Sequence, residues 1–147
     1  MSATVVVPDI RHSTLVRQEP GRVLDLLSSG AGWNCWFTDG SEFEPRVGSR
    51  VHLCWRGWTD DGSDLTDAGV VQAYEPGATF ALTWNEPPSL VTFTTREHPD
   101  GTWLEVLETG IPQTAAGLAR FAECSVGWGE ALTLLRCYAE YGIRLST

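Results

Sequence analysis

Glu108 is the polar side chain whose place in the sequence best fits a chemical role. From Thr102 onward, strand alternation puts Leu104, Val106 and Glu108 on one face. The carboxyl group is therefore expected to share the face of inward aliphatic residues. A carboxyl group desolvated by apolar walls is one way to make a general acid or base that works near neutral pH. The interpretation that we favour from the sequence is that Glu108 lies at the strand's end, where it reaches solvent or pairs with an arginine.

The other reactive side chains do not form a recognisable catalytic pattern. His52 and Arg56 share a face of the predicted strand 50–58, opposite its apolar residues, so we expect both to point outward. His98 precedes Pro99 in a predicted hairpin and is interpreted as a surface residue. The sequence contains no G-x-S-x-G motif and no Ser, His and Asp in an order that indicates a triad. Covalent catalysis is therefore not expected.

Metal and cofactor sites are not predicted either. The cysteines are dispersed without a C-x-x-C pair, and with three histidines they make no zinc pattern; they are Cys35, Cys54, Cys124 and Cys137. We interpret them as reduced, mostly buried thiols. The acidic stretch 60–64 lacks the ligand spacing and the closing Glu of an EF-hand loop, so we interpret it as a solvated hairpin turn.

Charge and composition exclude several classes of partner. The 147 residues carry a formal net charge of -9, and all ten basic residues are arginines. Nucleic acids and anionic membranes require clustered positive charge. The absence of lysine excludes Schiff-base chemistry and a phosphate-loop lysine. No run reaches the length of a membrane span and the N-terminus lacks a basic signal region, so we expect a cytoplasmic protein. The oligomeric state stays open, a homodimer included.

The elements that must position these side chains are a meander of strands and a long final helix. Alternation and turn residues such as Asp100-Gly101 predict strands at 10–17, 50–58, 66–74, 79–84, 90–97 and 102–109. A helix opens at Pro20 and is expected to end at Gly30 and Gly32. The aromatic segment that follows, up to Gly48, suits a loop or short helices packed inward.

The final helix is predicted from about Thr114 to Tyr141, with a left-handed cap at Gly142. Alternating steps of three and four place on one face Leu118, Phe121, Ser125, Trp128, Leu132, Leu135 and Ala139. Gly127 and Gly129 are expected to allow close approach or a bend. The predicted fold class is α+β, a long helix on a twisted antiparallel sheet, in a single domain over 1–147 whose first nine residues are an extension.

This order of elements, with local words of sequence, resembles the START-like superfamily, and within it the bacterial relatives of the Hsp90 ATPase activator domain. The words, from about residue 10 to 142, are Glu19-Pro20 with Val23 and Leu27, Gly48 before a strand, Gly69-Val70-Val71 leading to Glu75-Pro76, Leu82-Thr83-Trp84, Gly101-Thr102 with Leu104 and Val106, and Gly127-Trp128 followed by Leu132 and Leu135. The chain departs from the family pattern at Glu19, where Ala is usual, at Leu24, where an aromatic is usual, and at Glu108, where His is frequent.

The resemblance implies a helix-grip fold, in which a curved sheet wraps the C-terminal helix and encloses an apolar cavity for hydrophobic small molecules. Seven tryptophans exceed what a small core needs, and aromatic side chains are efficient cavity walls. We therefore expect the ligand-binding residues to be Trp36, Trp55, Trp84, Phe93, Trp128 and Leu132, together with Glu108. The alternative for any one of the tryptophans is that it simply fills the core.

Three functions are compatible with this reading, because the superfamily includes carriers, receptors, cyclases and chaperone partners. The leading hypothesis is that the cavity binds an apolar, aromatic or polyketide-like small molecule. The second is a cyclase- or dehydratase-type enzyme that uses the same cavity, with Glu108 moving a proton. The third is an interaction module that acts on a chaperone, which would need an exposed apolar patch.

Overall fold

A computed structural model, which describes residues 4–145, contains one six-stranded antiparallel sheet and a helix of 27 residues packed against it. The strands are β1 (Ile10–Val16), β2 (Arg50–Trp55), β3 (Leu65–Glu75), β4 (Thr79–Trp84), β5 (Ser89–His98) and β6 (Gly101–Thr109), in the order β1-β6-β5-β4-β3-β2. Helices α1 (Pro20–Asp25) and α2 (Gly30–Trp36) connect β1 to β2, and α3 (Ala115–Tyr141) follows β6. The predicted α+β helix-grip class is confirmed.

The core lies between the inner face of the sheet and the inner face of α3. β6 alternates strictly between buried and half-buried residues, as expected of a strand with one face on a core. β1 pairs with β6 rather than with β2, which brings Ile10 opposite Glu108. The sheet contributes buried side chains that include Leu53, Phe80, Leu82, Val91, Phe93, Leu104 and Val106, and α3 contributes Trp128, Ala131, Leu132, Leu135 and Ala139.

Gly30 and Gly32 do not end the first helix, as the sequence-based prediction had it; they open the second. α1 already ends at Asp25, and the Ser29 hydroxyl caps α2 by accepting the Gly32 N–H over 3.0 Å. A Cβ atom on Gly30 would lie 2.5 Å from the carbonyl oxygen of Ser41, and one on Gly32 2.4 Å from that of Asp25. These glycines therefore allow two backbone segments to pack closely. Hydrophobic periodicity carries no signal for such a contact.

The bounds of α3 agree with the prediction, but the start of its buried face does not. The Thr114 hydroxyl accepts the Gly117 N–H over 3.0 Å, and Gly142 closes the helix with a φ of 67°. Leu118, predicted to face the core, is 46% exposed. The buried residue of that turn is Gly117, which packs against the Pro112 backbone, so Leu118 points to solvent. Within residues 4–145 no helix is both long and apolar enough to cross a membrane.

Candidate functional site

Glu108 is fully buried beneath α3, where three hydrogen-bond donors converge on its carboxyl group. Trp128 of α3 donates its indole N–H to Oε1 over 2.9 Å. Trp84 of β4 donates its indole N–H to Oε2 over 3.0 Å, and the Ser89 hydroxyl donates to the same oxygen over 2.6 Å. An indole N–H can only donate, so Glu108 is the acceptor in both tryptophan contacts. The side chain thus shares the inward face of β6, as strand alternation predicts, and the favoured interpretation that it reaches solvent or pairs with an arginine is wrong.

The shared carboxyl group fixes two large aromatic side chains relative to each other. The rings of Trp84 and Trp128 lie 5.2 Å apart between centroids, with their planes inclined by 34°. The rings of Phe93 and Trp128 pack edge to face, with their centroids 5.6 Å apart. A buried polar group is costly unless it is hydrogen-bonded, and here every bond also restrains a side chain. Glu108 therefore acts as an anchor for the two rings.

Trp84 and Trp128 also line a cavity of about 490 Å³, within the size range of small-molecule sites. It lies between α3, the β2–β3 hairpin and the β4–β5 turn. Its aromatic wall consists of Phe37, Trp55, Trp58, Trp84 and Trp128. The remaining lining residues are Leu65, Thr66, Asp67, Asn85, Glu86, Glu123, Cys124, Gly127, Glu130, Ala131 and Leu134. The site combines an apolar interior with a polar, acidic margin.

The residues expected to bind a ligand divide into a wall and a layer behind it. Trp55, Trp84 and Trp128 lie in the wall, whereas Trp36, Phe93 and Leu132 are buried outside it, as is Glu108. Trp36 is held in the core because its indole N–H donates to the Leu26 carbonyl over 2.8 Å and its ring stacks on Phe37 at 5.0 Å. Phe93 is covered by Trp33 and Trp128.

The sequence-based prediction missed thirteen of the sixteen residues that line the cavity, six of them on α3. Glu123, Gly127, Glu130 and Leu134 follow one another at steps of four, three and four. This is the same helical spacing that predicted the buried face, displaced around the helix axis. Because Glu and Gly are not apolar, a search for hydrophobic periodicity passes over this strip. Trp58 and Leu65 were missed because they flank the hairpin turn, where alternation stops.

Trp55 differs from the other buried tryptophans in its hydrogen bonding. The residue is 4% exposed, and its indole nitrogen has no hydrogen-bond partner among the described residues. The other four buried tryptophans all donate their indole N–H: Trp33 to the Leu27 carbonyl, Trp36 to the Leu26 carbonyl, and Trp84 and Trp128 to Glu108. Leaving a buried donor unpaired costs about 1–3 kcal/mol, so the exception calls for an explanation.

The electrostatic environment of the wall is visible at Cys124. Burial raises the pKa of its thiol from 9.0 to about 11, and the carboxyl group of Glu108 adds to the shift. Glu123 and Asp67 raise this pKa further, and the guanidinium of Arg120 lowers it. The thiol is therefore protonated and unreactive at neutral pH.

Asp67 shapes the margin of the cavity at the β4–β5 turn. Its two carboxylate oxygens accept the backbone N–H of Asn85 over 3.0 and 3.1 Å. Asn85 has a φ of 67°, in the left-handed region that Asn tolerates better than most residues. The bonds from Asp67 hold this turn, and with it Glu86, beside the entrance.

The remaining polar candidates lie away from the cavity. His52, Arg56 and His98 are exposed, in agreement with their expected orientation. In the acidic turn, Asp61 accepts from the hydroxyl groups of Ser63 and Thr59, and these hydrogen bonds lower its pKa to about 2. The described residues contain no group of three or more acidic, Cys or His side chains placed to hold a metal ion.

Comparison with known proteins agrees with this architecture. The family model of the activator of Hsp90 ATPase homolog 1-like proteins matches residues 20–140. The solved structure of protein MLL2253 from Mesorhizobium loti is 24% identical, with a TM-score of 0.72 over 88% of this chain and 94% of that one. The Aha1 dimer from Colwellia psychrerythraea is 18% identical, with a TM-score of 0.75 over 92% of this chain and 98% of that one.

A third structural neighbour, DynU16 from the dynemicin biosynthetic locus, is 18% identical with a TM-score of 0.73. The match covers 91% of this chain and 48% of that one. No curated protein sequence matches the chain significantly. At these levels of identity the structural likenesses establish the fold alone, and they do not identify what the cavity binds.

Proposed function

The chain belongs to the activator of Hsp90 ATPase homolog 1-like family, and we propose that it binds an apolar, aromatic or polyketide-like small molecule in the cavity beneath α3. The observation that carries this proposal is a wall of five aromatic side chains around about 490 Å³. Such rings bury apolar ligand surface at about 25 cal/mol per Å² and stack on flat molecules. The occurrence of a structural neighbour in a biosynthetic locus is consistent with this class of ligand.

Preorganisation of the wall supports the same proposal. Trp84 and Trp128 are each held by Glu108, so a ligand would not have to order these two side chains on binding. Rings that are fixed in advance reduce the entropic cost of association.

The proposal is tested by filling the cavity from one position on α3. Gly127 lines the cavity, and no heavy atom lies within 4 Å of the position that a Cβ atom would take there. A leucine at this position would add bulk next to the cavity, and its Cβ atom would meet no neighbour. Gly129 is the matched control, because it lies on the same helix outside the wall and its Cβ would meet only the His12 ring, at 3.9 Å. Both substitutions raise helix propensity, by about 1 kcal/mol or less.

Isothermal titration with 1-naphthalenemethanol should show binding to the unmodified protein and to Gly129→Leu. Gly127→Leu should weaken it by about tenfold or more, since part of the buried contact is lost. Equal affinity in all three proteins would place binding elsewhere. Absence of binding for this probe and for a panel of flat aromatic compounds would contradict the proposal.

The enzyme alternative receives less support from the geometry. Glu108 stands behind the aromatic wall, and each of its oxygens already accepts at least one hydrogen bond. A general acid or base has to come within hydrogen-bond reach of the substrate, directly or through one water. The arrangement therefore favours a positioning role for Glu108 over proton transfer.

We also propose that the protein assembles as a homodimer. The support is the structural likeness to the Aha1 dimer. Sedimentation velocity should give twice the chain mass of 16.1 kDa, and a monomer at all accessible concentrations would contradict this.

A further inference from the structure

We infer that the ligand of this cavity carries a positive charge, as a protonated amine or a quaternary ammonium group on an apolar body. This inference rests on the proposed function and adds the charge of the ligand to it. The charged side chains of the wall are all acidic: Asp67, Glu86, Glu123 and Glu130. Neither arginine nor histidine belongs to the wall in the part of the chain that the structure describes, and the sequence has no lysine.

Three of these carboxylates form no salt bridge with a basic side chain of the described residues. In the described residues the salt bridges use other acids: Arg11 pairs with Glu105, Arg17 with Glu140, Arg46 with Glu44 and Arg144 with Asp39. Glu86, Glu123 and Glu130 are exposed and are not members of these pairs. Asp67 differs from them, because backbone N–H groups occupy its oxygens.

The geometry of α3 concentrates this charge on one side of the cavity. Glu123 and Glu130 are seven residues apart, which is close to two full turns, so they lie on the same face of the helix. Gly127 lies between them and leaves space where a side chain would stand. Glu86 approaches from the β4–β5 turn. A cation at the margin would therefore meet carboxylates from two directions.

Arg120 is a basic residue near the cavity, and its positive charge would oppose the binding of a cation. Its guanidinium donates to the Pro87 carbonyl over 2.7 Å, and it lies outside the cavity wall. At Cys124, which does belong to the wall, three carboxyl groups raise the pKa of the thiol and this one guanidinium lowers it. Among the charged groups that act on this wall residue, acidic groups thus outnumber basic ones.

The aromatic rings complete a cation site. The face of an indole ring attracts a cation, and the attraction strengthens as water is excluded. Trp58 is 41% exposed at the mouth and lies 5.9 Å from Trp55 deeper in the wall. The carboxylates are exposed at the margin, so an ammonium group could remain hydrated in part while the apolar body is buried. The site matches a molecule with one charged end.

The test uses three probes that share a naphthyl body and differ in charge: (1-naphthylmethyl)trimethylammonium, 1-naphthalenemethanol and 1-naphthoate. Isothermal titration should rank the ammonium probe first and the carboxylate last, with a difference of about tenfold or more between them. High ionic strength should narrow the difference, because the margin is open to solvent.

Two double variants separate local recognition from the overall negative charge. Glu123→Gln with Glu130→Gln removes two wall carboxylates and should abolish the preference for the ammonium probe. Glu75→Gln with Glu97→Gln removes the same charge from two exposed positions outside the wall and should preserve it. An equal loss in both double variants would overturn local recognition.

The remaining outcomes distinguish the two proposals. Equal binding of the three probes, weakened throughout by Gly127→Leu, would overturn the charge inference and leave the proposed function standing. Tighter binding of 1-naphthoate would overturn the charge inference as well. Absence of binding by all three probes would contradict the proposed function itself, and the charge inference with it.

Discussion

Trp128 in α3 donates its indole N–H to Glu108 in β6 across 2.9 Å, in a part of the core that is closed to solvent. The bond joins the helix to the sheet at the inner wall of the cavity. Because Trp84 donates to the other oxygen of the same carboxyl group, a single side chain orients both rings. The stability of the fold and the shape of the cavity are therefore coupled at Glu108.

Replacing Glu108 by glutamine should lower the free energy of unfolding by about 1–3 kcal/mol. The amide has one acceptor oxygen and one NH₂ group, so one of the three donors would face another donor. Urea denaturation measures the change. Glu105→Gln is the matched control, since Glu105 lies on the outer face of β6 and pairs with Arg11 at the surface. Glu105→Gln should lower the free energy of unfolding by less than about 1 kcal/mol. Equal effects of the two substitutions would contradict the anchoring role.

Substitution by phenylalanine should have different effects on a tryptophan of the cavity wall and on one of the layer behind it. Trp55→Phe removes a donor that has no partner, so the loss of ring contacts is offset by relief of a desolvation cost. Trp36→Phe leaves the Leu26 carbonyl unpaired in the core and should be more destabilising, by about 1–3 kcal/mol. Affinity for 1-naphthalenemethanol should fall in Trp55→Phe and stay unchanged in Trp36→Phe. The reverse order in either measurement would show that the wall has been misassigned.

The thiol of Cys124 should resist alkylation in the folded protein. Its pKa is raised from 9.0 to about 11, so between these values the folded protein holds the proton that the unfolded chain releases. Stability from this group is complete below about pH 9 and is lost as the pH rises through about 11. Iodoacetamide labelling followed by peptide mass spectrometry should modify Cys124 more slowly in the native protein than in urea. Cys124→Ser should flatten the decline in unfolding free energy over that pH range, and an unchanged decline would refute this assignment.

The sequence was sufficient for the parts of the site that depend on local periodicity. Alternation along β6 predicts the inward direction of Glu108, and helical spacing predicts the burial of Trp128. The convergence of Trp84 and Trp128 on one carboxyl group could not be predicted, because β5 separates β4 from β6 and the rotation of α3 is set by packing. The same packing explains why Leu118 is exposed, although helical spacing predicts that it faces the core.

Local sequence patterns also could not predict which buried aromatic residues line the cavity and which lie in the layer behind it. Burial alone does not separate Trp36 and Phe93 from Trp55, since all three are almost fully enclosed. What separates them is packing: Trp33 of α2 covers Phe93, and a hydrogen bond to the Leu26 carbonyl holds Trp36 against Trp33. The acidic residues of α3 were overlooked because a hydrophobic pattern assigns charged positions to solvent.

The most direct test of the central claim is a crystal structure of the protein grown with 1-bromonaphthalene, whose bromine can be located by its anomalous scattering. We predict a bromine peak inside the cavity, with the naphthalene ring in van der Waals contact with Trp84 and Trp128. A peak only at other surfaces, or a cavity that contains no probe at saturating concentration, would contradict the claim that this space binds apolar molecules.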